Sequence, residues 1–179
     1  MTNKTKIILF FLITFIVVIY LFLNAKSRNN QQITNPVKQL FIKNIIPGIT
    51  TKEEIIQGFG DPIASNEGTL EYKSKSPVRN NEIKIQSDKV LFVKEIISYG
   101  DKISFNSETN QYSDIKFLYG PDAVNGYLLY CIPEKGIAYL ANPNSDAILE
   151  IWHYPATTFT DFKNTWAKDY SETPIKNQF

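Results

Sequence analysis

The chain has 179 residues, 43% of them apolar and 13% aromatic, enough for one core-bearing domain or two very small ones. Its 19 basic and 18 acidic residues nearly cancel, which leaves no electrostatic footprint for nucleic acid. A single cysteine, Cys131, excludes an internal disulfide framework; its simplest reading is a small apolar residue in a strand.

Lys4 and Lys6 precede an apolar run, Ile7 to Leu23, whose 17 residues stand near the lower limit of about 17–25 for a spanning helix. A cleavable leader would carry small residues at its junction, where Leu23-Asn24-Ala25 places a leucine, so the sequence favours an uncleaved anchor over 7–25. No cysteine sits just beyond the run to accept a lipid. With a short lysine-bearing segment, 1–6, kept inside, the remainder is expected outside the cytoplasm as a single-pass membrane protein. Residues 26–44 read as spacer and juxtamembrane segment, first rich in asparagine and glutamine. Asn35-Pro36 opens a candidate short helix, and Ile42, Ile45 and Ile46 would equally start a strand.

A first unit is expected over 45–100. Pro47-Gly48-Ile49 leads into Thr50 and Thr51, each followed three residues later by a glutamate, the spacing of a capping box. Ile55, Ile56 and Phe59 give the helix its apolar side, and Gly58, Gly60 and Pro62 stop it. The pattern then alternates: strands are predicted at Thr69–Lys73, Glu82–Gln86 and Val90–Ser98, forming an antiparallel meander.

A second unit is expected over 101–179. A short helix is predicted at Ser113–Asp122, stopped by Gly120 and Pro121, then strands at Gly126–Ile132, Gly136–Ala141 and Ala147–Tyr154. Landmarks recur at offsets of about sixty residues: Gly60 with Gly120, Gly68 with Gly126, Tyr72 with Tyr130, Ser87-Asp88 with Ser145-Asp146. Thr158 and Asp161 cap a final helix carrying Phe159, Phe162 and Trp166 on one side. The expected fold is therefore α+β: an anchor, two tandem units of one helix and three strands, and a C-terminal helix.

The run Pro47-Gly48-Ile49-Thr50-Thr51-Lys52-Glu53-Glu54-Ile55 with Gly60-Asp61-Pro62, followed by a meander, resembles the repeat of the SmpA/OmlA outer-membrane assembly lipoproteins and the β-lactamase inhibitor proteins. In the inhibitors two such units stand in tandem. The resemblance covers roughly 45–155 and implies a helix laid on a sheet, acting by protein contact. The chain departs from it in lacking a lipidated cysteine and disulfides.

No catalytic, cofactor or metal site is expected. His153, the single histidine, sits in a dense strand and reads as structural or surface; with Cys131 it makes too few ligands for zinc. Asp61, Asp88, Asp122 and Asp146 fall at turns, where aspartate bonds locally. The second meander is apolar on both faces, so its aromatics either pack inside or form a contact surface, with Trp152, Tyr154, Tyr130 and Tyr139 as the candidates. Gly48, Thr50, Gly60, Pro62, Gly120 and Pro121 are read as fold-defining. The expected function is a non-enzymatic interaction or envelope-assembly module with a protein partner; a small-ligand or lipid carrier using the apolar sheet face is the alternative.

Overall fold

The computed structural model describes residues 41–174 apart from Lys102, so the predicted anchor at Ile7–Leu23 lies outside the described residues. Among the described residues no helix is long and apolar enough to cross a membrane. The unit Leu40–Phe179 is built on eight antiparallel strands: β1 Ala64–Asn66, β2 Thr69–Tyr72, β3 Asn81–Gln86, β4 Lys89–Ile96, β5 Lys116–Leu118, β6 Leu128–Ile132, β7 Ile137–Asn142 and β8 Ala147–His153. Among the described residues three α-helices accompany them: α1 Lys52–Phe59, α2 Phe105–Thr109 and α3 Phe159–Thr165.

The expectation of two tandem units is overturned, because all eight strands belong to one sheet in the order β1-β2-β3-β4-β8-β7-β6-β5. β4 and β8, the last strands of the two expected meanders, pair from Val93↔His153 to Ile96↔Glu150. An unpaired strand edge leaves backbone N–H and C=O groups unsatisfied, and pairing two such edges satisfies both. β1 and β5, short strands at the outer rims, were also not foreseen.

α1 follows the sequence. Thr51 Oγ1 accepts the Glu54 N–H at 3.2 Å, and Glu54 Oε2 accepts the Thr51 N–H at 2.7 Å, closing the capping box. Thr50 is not the cap; its hydroxyl accepts the Ile46 N–H at 2.8 Å and tightens the preceding turn. The helix end is tied to the sheet, since Val90 N–H bonds Thr50 O at 2.8 Å and Lys52 N–H bonds Asp88 O at 3.0 Å. Gly60, at φ 78°, stops the helix in a conformation that glycine adopts without a Cβ penalty.

The second helix is displaced from its predicted place. Ser113–Asp122 contains β5 and then the start of a 3-10 turn, Pro121–Asn125, whereas α2 lies earlier, capped by Ser104 accepting the Ser107 N–H at 3.1 Å. A run as short as Lys116-Phe117-Leu118-Tyr119 fits either period, and its aromatics favour the pleated surface once β6 offers an edge. α2 meets the sheet as α1 does: Ser104 bridges Ala147, as Thr51 bridges Lys89.

Each face of the sheet carries a core. On one face Ile55 of α1 and Phe105 of α2 pack with Leu70, Ile83, Val93, Tyr139 and Ile151. On the other Phe162 of α3 packs with Leu118, Leu129, Cys131, Leu140, Trp152 and Tyr154. α3 carries the predicted cap, Thr158 Oγ1 accepting the Asp161 N–H at 3.1 Å, and its Phe162 is wholly buried. Burying such a side chain is worth about 1.5–3 kcal/mol, which a seven-residue helix needs because it could not persist alone.

Candidate functional site

The α3 side of the sheet has a sealed half and an open half. A cross-strand row runs Glu71↔Glu82↔Lys94↔Trp152↔Ala138↔Cys131. Its first three residues are partly exposed and its last three are buried beneath α3 and the tail. The neighbouring row, Thr69↔Lys84↔Phe92, makes the same change from polar to aromatic. Strand alternation explains this: in Glu82-Ile83-Lys84-Ile85 the isoleucines face α1, and the charged residues are left on the other side.

The polar groups of the open half are paired, mostly with one another. Lys94 Nζ lies 2.8 Å from Glu82 Oε1, and Asn80 Nδ2 donates to Glu71 Oε2 at 2.9 Å. Lys84 Nζ stands 5.6 Å from the Phe92 ring centroid, a cation–π contact. Phe92 stacks on Trp166 at 5.1 Å and meets Trp152 edge-on at 5.5 Å, so the charged strip ends at an aromatic step. Under that step Glu150 is buried, accepting bonds from Arg79 Nη1 at 2.5 Å and Trp152 Nε1 at 2.7 Å.

The four predicted contact aromatics do not share a surface. Trp152 is 6% exposed and Tyr154 2% exposed, both closed over by the C-terminal segment: Tyr170 meets Trp152 at 5.8 Å and Phe162 meets Tyr154 at 4.8 Å. Tyr154 also donates its hydroxyl to Ile137 O at 2.9 Å. Tyr139 and Tyr130 lie on the opposite face, packed against Phe105; Tyr139 is buried and Tyr130 half-buried. Burial raises the phenol pKa of all three tyrosines, most strongly for Tyr139 and Tyr154. The sequence reading passed over Lys84, Lys94, Phe92 and Trp166, although the alternation of β3 carries the signal for a one-sided strand.

The remaining chemistry-bearing residues are structural in placement. Cys131 is buried and its thiol is pushed up to about 12 by burial, which keeps it protonated and unreactive. His153 interrupts the apolar row Leu70↔Ile83↔Val93↔His153↔Ile137↔Ile132 on the α1 side. Burial holds its imidazole down to about 4. Among the described residues no three His, Cys, Asp or Glu side chains gather closely enough to hold a metal ion.

Of the fold-defining residues, Gly48 takes φ 82° while its N–H bonds Val90 O at 2.7 Å, and Pro62 follows the Gly60 stop. Pro121 opens the 3-10 turn after Gly120, which is extended at φ −126° and is therefore no helix stop. Comparison with protein-family models, with curated proteins and with solved structures finds no match.

Proposed function

We propose that this chain is a membrane-anchored contact module of the cell envelope, held by Ile7–Leu23 and working outside the cytoplasm by binding another protein rather than by catalysis. The observation that supports it is the half-open sheet face: charged groups of β2–β4 and Asn80 of the β2–β3 loop, bordered by the partly exposed Trp166, which stacks on the buried Phe92. Specific interfaces combine aromatic anchors with a polar rim in this way. The resemblance of Pro47–Pro62 to the SmpA/OmlA and β-lactamase inhibitor repeat points to the same style of action.

The test is photo-crosslinking of the full chain in its membrane. A photoreactive residue replacing Lys84 or Lys94 is expected to trap one discrete protein, and one replacing Gln57 on exposed α1 is not. Equal trapping at all three positions, or trapping of lipid alone, would overturn the reading.

A further inference from the structure

A half-open cavity of about 290 Å³ lies beside the start of β8. The two helix approaches differ beside it. Ahead of α1 the chain lies down on β4, with Gly48 N–H bonded to Val90 O at 2.7 Å. Ahead of α2 the chain instead folds on itself: Asp101 N–H bonds Ser98 O at 2.8 Å, and the Asp101 carboxylate accepts the Ser98 N–H at 3.1 Å. Lys75 Nζ then holds that carboxylate from outside at 2.6 Å. Between the Ile97 N–H bond to Leu149 O at 2.8 Å and the Ser104 bridge to Ala147, residues on both sides of this turn line the cavity together with Ile148.

The lining is of two kinds. Ile97, Ile103, Ile148 and Leu149 supply an aliphatic surface, with the partly buried Tyr127 beside them. Serine hydroxyls and Asp146 supply the polar part, and Asp146 is the one charged side chain among the described lining residues. Its position is built: φ of 53° holds the backbone in the left-handed region that aspartate and asparagine tolerate, and Oδ1 accepts the Asn106 N–H at 2.8 Å. That bond, with a second from the Ser104 side chain, lowers the Asp146 pKa and keeps the carboxylate charged at neutral pH. A carboxylate offers about four lone-pair positions, so it can accept further donors.

We infer that this cavity is a binding site for a small ligand with a compact aliphatic body and a primary ammonium group, the body against the isoleucines and the ammonium on Asp146. An anion of the same shape would meet like charge, and a neutral alcohol would gain a hydrogen bond without the ion pair. The site lies apart from the β2–β4 face, so it stands or falls independently of the contact function.

The experiment uses methyl NMR of the isoleucines in the full chain, in lipid nanodiscs, titrated with cyclohexylammonium, cyclohexanol and cyclohexanecarboxylate. Shifts confined to Ile97, Ile103 and Ile148 are expected, with the ammonium bound about ten-fold more tightly than the carboxylate. Asp146→Asn keeps the backbone conformation and should bring the two within about two-fold. Ser145→Trp, at an exposed turn position, should block all three probes without unfolding the chain. Shifts elsewhere in the protein, equal binding of ammonium and carboxylate, or an undiminished preference in Asp146→Asn would overturn the assignment.

Discussion

Gly120 lies so close beneath the ring of Tyr170 that a β-carbon on it would come within 2.2 Å of Cε1. The contact is how the tail closes the α3 side of the sheet. Next to it, Tyr119 and Ser171 exchange backbone bonds of 2.7 and 2.8 Å, and Tyr170 covers Trp152. Gly120→Ala is therefore expected to lift the tail, at a cost of about 1–3 kcal/mol for a steric insertion that the neighbour must relieve by moving. Adding Tyr170→Ala removes the obstacle, so the double variant should be more stable than the two separate losses predict. Denaturant unfolding of the four proteins measures the coupling; simple additivity would show that the ring is not seated there.

Arg79 comes from the loop between β2 and β3 and reaches Glu150 on β8, joining segments 71 residues apart. The Glu150 side chain is only 7% exposed, so losing its partner leaves a carboxylate in the core with the Trp152 indole as its remaining donor in this cluster. Arg79→Ala should cost about 2–3 kcal/mol, below the largest values for a buried pair because the arginine side is 40% exposed. Arg79→Ala with Glu150→Gln should recover part of that loss, since the amide carries no charge to strand. Chemical denaturation of both variants checks the order, and a double variant less stable than the single one would contradict it.

The two threonines before α1 have separate duties. Thr51→Ala removes the oxygen that accepts the Glu54 N–H and should cost about 1 kcal/mol. Thr50→Ser keeps the hydroxyl that accepts the Ile46 N–H and should be close to neutral, whereas Thr50→Ala frees the turn. Thermal melts rank the three; a neutral Thr51→Ala beside a costly Thr50→Ala would place the cap one residue earlier.

These local features explain what was legible in the sequence. The α1 cap, the Gly60 stop, the α3 cap and the six longer strands are written within windows of about a dozen residues, where period and turn chemistry act. The pairing of β4 with β8 is not written there, because any edge strand with the right alternation offers the same backbone groups. α2 was missed since Ser104 is followed by Ser107 rather than an acid. For the site, the faces of Tyr130 and Trp152 follow from alternation, but which face stays open depends on where the tail lands. With both faces of β6–β8 apolar, the sequence alone could not tell a contact surface from a core.

His153 gives the sharpest solution test. It lies between Val93 and Ile137 in the apolar row on the α1 side, and no hydrogen bond or ion pair engages its side chain among the described residues. Burial lowers its pKa from the ordinary 6.5 to about 4. The sign follows from which state binds the proton more readily. Above pH ~6.5 the imidazole is neutral folded and unfolded, and it makes no contribution to pH dependence. Between ~6.5 and about 4 the unfolded chain takes up a proton that the folded chain refuses, so stability falls as pH falls. Below about 4 both states are protonated and this contribution levels off, after a total loss on the order of 3 kcal/mol. His153→Leu suits the apolar row and should be at least as stable at pH 7. Its stability should also change less between pH 7 and 4 than that of the parent chain. Taking the difference between the two proteins cancels the carboxylates common to both. Parallel pH profiles would show that His153 finds solvent or a partner when charged, and the neutral imidazole in the apolar row would have to be abandoned.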